Sequence, residues 1–118
     1  HSGHLKKLNA LGIEVHVRSV FLQGLFHMPI DKLPKFFKPI KPLLMDVHSA
    51  AVSQKMSINQ ASLTFVRDQL FVDKIIVGIE SLHHLNHALS DFVLFPGFKY
   101  KSIESCDEVF LDPRKWNT

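Results

Sequence analysis

The sequence predicts an α/β fold built on a parallel sheet. Three observations carry that prediction. Two runs rich in β-branched residues, 13–19 and 72–79, read as strands. Stretches of helical period lie between and after them. Each run leads into a segment with a glycine, Gly24 or Gly78. Strands separated by helices pair in parallel through right-handed crossovers. Two strands alone do not make a stable sheet. The missing strands are therefore expected from a part of the protein outside this chain, or from other copies of it.

The elements follow in order. Leu5, Leu8 and Leu11 recur at helical spacing among Lys6, Lys7 and Asn9, and Gly12 stands where a helix ends. Residues 13–19 then alternate. Ile13, Val15 and Val17 fall on one face, while Glu14, His16 and Arg18 fall on the other. A polar second face needs a wet or hydrogen-bonded environment, such as a pocket. His16 reads as a hydrogen-bonded core histidine rather than a general base. Residues 22–42 hold Pro29, Pro34, Pro39 and Pro42, each of which removes a backbone donor, so long regular structure is not expected. Loops of this length tend to carry function or to move.

Helical spacing returns at 43–54 through Leu44, Val47 and Ala51. Ser57 and Gln60 form a capping-box pattern that opens the next helix, through Ala61, Leu63, Phe65 and Val66. Residues 72–79 are apolar apart from Asp73 and Lys74 before Gly78, the look of a parallel strand covered on both faces. Ser81 is placed to cap a helix over 82–92. The tail, 96–118, is expected as an extended or partly helical arm with Trp116 packed inward.

Strand, glycine, serine, helix is the order that builds an anion site. Gly78 lets a ligand approach the backbone, and the helix start presents free N–H groups. The plainer alternative is that Gly78 ends a strand and Ser81 caps a helix.

Size and charge narrow the classes. The chain has 118 residues, 46% hydrophobic and 21% charged, as expected of one globular domain. A net charge of +3 fits phosphate-bearing ligands. The cations are scattered, and the densest run, 32–41, is broken by Pro34 and Pro39, so nucleic acid is not the expected partner. The single cysteine, Cys106, excludes an internal disulfide and a thiolate zinc site, and no metal is expected. A reducing, cytoplasmic location is expected. No apolar run approaches the ~18 residues of a membrane span. The opening HSGHLKKL has neither an initiator Met nor a signal-like pattern, as if cut from a longer protein. His83, His84 and His87 cluster on the predicted last helix. They lack the intervening Glu of a zinc protease motif, so a metal role is the lesser reading. Asp107 and Glu108 beside Cys106 disfavour a thiolate nucleophile.

The stretch GIEVHVRSVFLQGLF resembles the seventh strand and loop of the aldo/keto reductases, whose usual pattern is Y-S-P-L-x-x-G-L-L. SINQASLTFVRDQLFVDKIIVGIESLHHLNHAL resembles their seventh helix, eighth strand and eighth helix, and the closing LDPRKW is similar to the tail of bacterial members. The resemblance implies the C-terminal portion of a (β/α)8 TIM barrel, incomplete in this chain, since such barrels run to about 250 residues. On that basis residues 1–42 hold a helix end, strand seven and its loop, and 43–71 hold helices. Strand eight and helix eight fall at 72–95, and 96–118 form the tail.

The implied activity is NADPH- or NADH-dependent reduction of a small aldehyde or ketone. The family's catalytic Asp, Tyr, Lys and His lie on earlier strands, so none falls here and the isolated chain is expected to be inactive. The implied cofactor contacts are Arg18, Ser19, Phe21, Gly24, Gly78, Ser81 and His84. Arg18 replaces a Tyr that stacks on the nicotinamide, Ser19 matches the Ser opening the phosphate loop, and Phe21 takes a Leu position. Gly24 and Gly78 match family glycines, and His84 falls where an Arg or Gln nears the 2′-phosphate. Glu80 replaces an Arg suited to that phosphate and Ala88 an Asn that meets adenine, which weakens the case for strong NADPH selectivity and leaves NADH, or poor cofactor binding, open. The resemblance also suggests a specificity loop at 26–43, with Phe36 and Phe37 as its apolar lining. The rival reading is a non-catalytic α/β or helical protein-interaction module derived from such a barrel. Exposed strand edges are expected to pair copies of the chain into a homo-oligomer.

Overall fold

The computed structural model describes residues 3–101 and 107–116, and Cys106 lies outside them. Helices dominate: α1 (His4–Ala10), α2 (Lys41–Ser53), α3 (Ile58–Arg67), α4 (Leu82–Leu94) and α5 (Glu108–Leu111). Only two strands, β1 (His16–Val17) and β2 (Lys74–Ile75), are described, and they pair in parallel with His16 opposite Lys74.

This architecture overturns the barrel expectation. The chain is a mostly helical body with a two-stranded ribbon, not a portion of a (β/α)8 TIM barrel. The physical reason lies in where apolar area is buried. One core joins Leu25, Phe37, Ile40, Leu44 and Phe110; a second joins Ala51, Met56, Ala61 and Phe98. No residue of either strand belongs to these clusters. A barrel interior is packed from strand side chains, whereas this chain buries its helices and loops against one another. The expected strands at 13–19 and 72–79 shrink to two ladder residues each. The second is not covered on both faces either, for Ile76 and Ile79 are exposed.

Local signals fared better. Gly12 follows α1 at φ 68, with Ile13 N–H donating to Leu8 C=O and Gly12 N–H to Asn9 C=O. Those two bonds make a Schellman stop, which needs the left-handed backbone that glycine adopts without steric cost. At α3 both halves of the capping box form: Gln60 N–H donates to Ser57 Oγ at 3.2 Å, and Ser57 N–H to Gln60 Oε1 at 2.8 Å. The proline-rich segment carries only short 3-10 turns, at Leu22–His27, Ile30–Lys32 and Lys35–Ile40. Pro42 sits in the first turn of α2, where its missing N–H is harmless. Lys32, Lys35, Lys38 and Lys41 are exposed, while Phe37 is at the centre of the first core and Phe36 is half-buried beside it. These aromatics are packing residues, a correction to their expected role as a substrate lining. Trp116 anchors the tail edge-on against Phe37, with ring centroids 4.8 Å apart.

Segment 98–100 is tied to the helices by side chains. Buried Thr64 donates its hydroxyl to Gln60 C=O at 2.7 Å and accepts from Phe98 N–H at 3.2 Å. Tyr100 donates to Asp46 Oδ2 at 2.6 Å. Burial, then the Asp46 carboxylate, pushes the Tyr100 phenol up to about 12. A phenol pKa raised in the fold stabilises below the unfolded value near 10, and that contribution is lost as pH rises through the folded value. Thermal melts between pH 10 and about 12 should therefore show a steeper loss of stability for the wild-type chain than for Tyr100→Phe. Parallel curves would exclude this contribution.

Candidate functional site

The parallel ribbon aims both of its following segments the same way. After β1 the chain runs through Ser19 (φ 61), Leu22 (φ 48), Gln23 (φ 54) and Gly24 (φ 83). A non-glycine residue held at positive φ costs about 1–3 kcal/mol, and such residues gather at functional sites. After β2 the chain passes Gly78 and enters α4. The Ser81 hydroxyl accepts the His84 N–H at 3.1 Å. The plainer reading of Ser81 is thus realised, because its side chain caps the helix. By helix geometry the remaining first-turn N–H groups have no acceptor within the helix.

Two adjoining clefts lie between these segments. One, about 590 Å³, is lined by Phe21, Gly24, Gly78, Glu80, His84 and Asp91, among others. The other, about 400 Å³, adds Arg18 and Ser19 and shares Phe21, Gly24, Val77 and Gly78. The structure thus brings together Arg18, Ser19, Phe21, Gly24, Gly78 and His84, which the sequence had placed in two distant stretches. Ser81 stands just outside, at the helix cap. Glu80 and Ala88 also line the larger cleft.

Sequence reasoning missed several residues of this wall. His27 and Asn59 line it, and the two side chains touch through His27 Nε2 and Asn59 Oδ1. Asp91 is buried on α4 and accepts from Gln60 Nε2 of α3 at 3.0 Å, which docks the two helices at the cleft floor. Asp91 in an otherwise apolar stretch was the available signal, since a carboxylate is buried only with a partner. His87 faces the same cleft. Its ring lies 4.3 Å from that of His83, centroid to centroid, but no group of three metal-capable side chains forms among the described residues.

The opposite face of the ribbon is polar and exposed. Glu14 contacts the His16 ring nitrogen Nε2, and Lys74 Nζ reaches the same carboxylate oxygen at 2.9 Å. The His16 contact first, then Lys74, holds the Glu14 carboxyl below its ordinary value. His16 is therefore a surface residue in contact with Glu14, not the core histidine expected from the sequence.

No protein-family model, curated protein or solved structure matches this chain. The likeness to aldo/keto reductases accordingly rests on the quoted motifs alone. Among the described residues no helix is long and apolar enough to cross a membrane.

Proposed function

We propose that the chain supplies the phosphate and adenosine side of a nicotinamide dinucleotide site, as the non-catalytic part of an NAD(P)H-dependent oxidoreductase acting on small aldehydes or ketones. The observation that carries this reading is the convergence of the strained 19–24 loop, Gly78 and the start of α4 on one pair of clefts. In open α/β structures dinucleotides bind beyond the carboxyl ends of parallel strands, with phosphate at a helix N-terminus. The reading needs only this local βα arrangement and not a barrel.

The residues fit such a ligand in chemical kind. Arg18 and the backbone donors of the loop suit a pyrophosphate. Phe21 offers a flat apolar surface. A carboxylate near the adenosine ribose accepts from a free 2′-hydroxyl and repels a 2′-phosphate. Glu80 in the larger cleft therefore favours NADH over NADPH.

Titration of NADH fluorescence with the chain tests this. Saturable binding is expected, weaker for NADPH by roughly tenfold, a difference of about 1.4 kcal/mol. Glu80→Arg should invert the order. An NADH emission spectrum that the chain leaves unchanged would sink the reading.

A second reading, a protein-interaction module, is supported by the outward apolar side of α4, where Leu82 and Leu89 are largely exposed.

A further inference from the structure

Helix α4 turns its apolar side outward. At 100° per residue, His84, His87 and Asp91 share the side that meets α3 and the cleft. Leu82, Leu85, Leu89, Phe92 and Val93 form a stripe away from that side, and all five are exposed. Leu82 and Val93 are 73% and 71% exposed, far more than helix packing within the chain would leave. Beside the stripe lies a groove of about 510 Å³, where Leu85, Leu89 and Phe92 face Ile75, Val77 and Ile79 of the β2 segment. Among the described residues no strand pairs with the other edge of β2.

We infer that this face binds a second copy of the chain, with α4 packed antiparallel on α4 across a two-fold axis. Three features select that occupant. First, Leu82, Leu85, Leu89 and Phe92 are spaced three, four and three residues apart, the repeat of a helix-on-helix seam. A strand or an extended peptide gives no reason for that spacing. Second, the seam can face itself without repulsion. Helix α4 contains no Lys, Arg or Glu, and its one carboxylate, Asp91, is turned to Gln60 of α3. An isologous contact brings groups at the two-fold axis close to their own copies, and the Arg67 guanidinium, 5.8 Å from the Phe92 ring, lies at the end of the seam and not at its axis. Third, the stripe runs from Leu82 to Val93 along the helix with the open groove beside it, a continuous apolar surface of the kind that a specific interface of at least about 1,000 Å² needs.

The antiparallel arrangement sets Leu82 against Phe92 and Leu85 against Leu89 of the other copy, and it aligns the two helix dipoles favourably. Strand pairing alone, expected from the sequence, is thereby replaced by a helix seam with the open β2 edge beside it. The seam lies across α4 from His84, His87 and Asp91. It stands or falls independently of the nucleotide reading.

Sedimentation equilibrium of the chain over a micromolar concentration series is the test. A monomer–dimer equilibrium is expected. Leu89→Glu should weaken it by at least about tenfold, with helicity by circular dichroism unchanged. Leu82→Glu, at a more exposed position, is the second variant should the first disturb folding. Mixing Leu89→Glu with Leu85→Lys should restore a dimer, because these positions face each other only in the antiparallel arrangement. A monomer throughout the series, a dimer indifferent to both glutamate variants, or a mixture that fails to reassociate overturns the proposal.

Discussion

Replacing Gly78 with valine is expected to leave the fold intact and to remove nucleotide binding. Glycine at a turn is usually explained by a positive φ or by a crowded Cβ, and neither applies here. Gly78 is not among the positive-φ residues, and a Cβ built on it would meet nothing within 4 Å. Valine suits extended backbone. The chain itself therefore makes no demand for glycine at this position, and in the proposed function the open space is where the ligand approaches the backbone from the cleft. Two γ-methyl groups would occupy that room. Thermal stability of Gly78→Val should stay within about 0.5 kcal/mol of wild type, as for surface positions. Affinity for NADH should fall by more than about tenfold, since a ligand phosphate could no longer reach the backbone donors. Melting curves and fluorescence titration of the same sample separate the two effects. Unchanged affinity would mean that the ligand does not pass over Gly78.

Phe37→Ala should be the most damaging single substitution to stability. Phe37 is 2% exposed and sits among Leu25, Ile40, Leu44 and Phe110. Phe36 and Trp116 meet its ring edge-on, at centroid distances of 5.0 and 4.8 Å. Truncating a buried phenylalanine removes its transfer free energy and leaves a cavity, about 3–5 kcal/mol in all. That is a large share of the 5–15 kcal/mol typical of a whole domain. Trp116 would lose its main aromatic neighbour, so its fluorescence should shift to the red as the tail detaches. Chemical denaturation followed by that fluorescence measures both effects. A loss below about 1 kcal/mol would show that the core collapses around the gap. Phe36→Ala, at a half-buried position, should cost less.

How far the sequence could be read depended on the range of the interactions involved. The stop at Gly12, the box at Ser57 and Gln60 and the cap at Ser81 are made by residues close in sequence, so their chemistry was visible there. The 3-10 turns between prolines were legible only as irregularity. The strands were overstated because β-branched runs record what a sheet would accept and not whether neighbouring strands exist. Val15 is buried, but Ile76 and Ile79 stay exposed. Phe36 and Phe37 were misjudged because nothing near them in sequence announces Trp116 or Phe110 as partners. Of the residues that line the larger cleft, Gly24, Gly78 and His84 were singled out from motif likeness. His27, Asn59 and Asp91 were not, since their place in the wall depends on α3 and α4 meeting.

Backbone amide chemical shifts of the isotope-labelled chain, recorded during titration with NADH, test the central claim most directly. The account predicts saturable shifts that cluster at residues 18–24, at Gly78 and over the first turn of α4, with His84 among the largest. Shifts scattered over the surface, or confined to the outer stripe of α4, would contradict it.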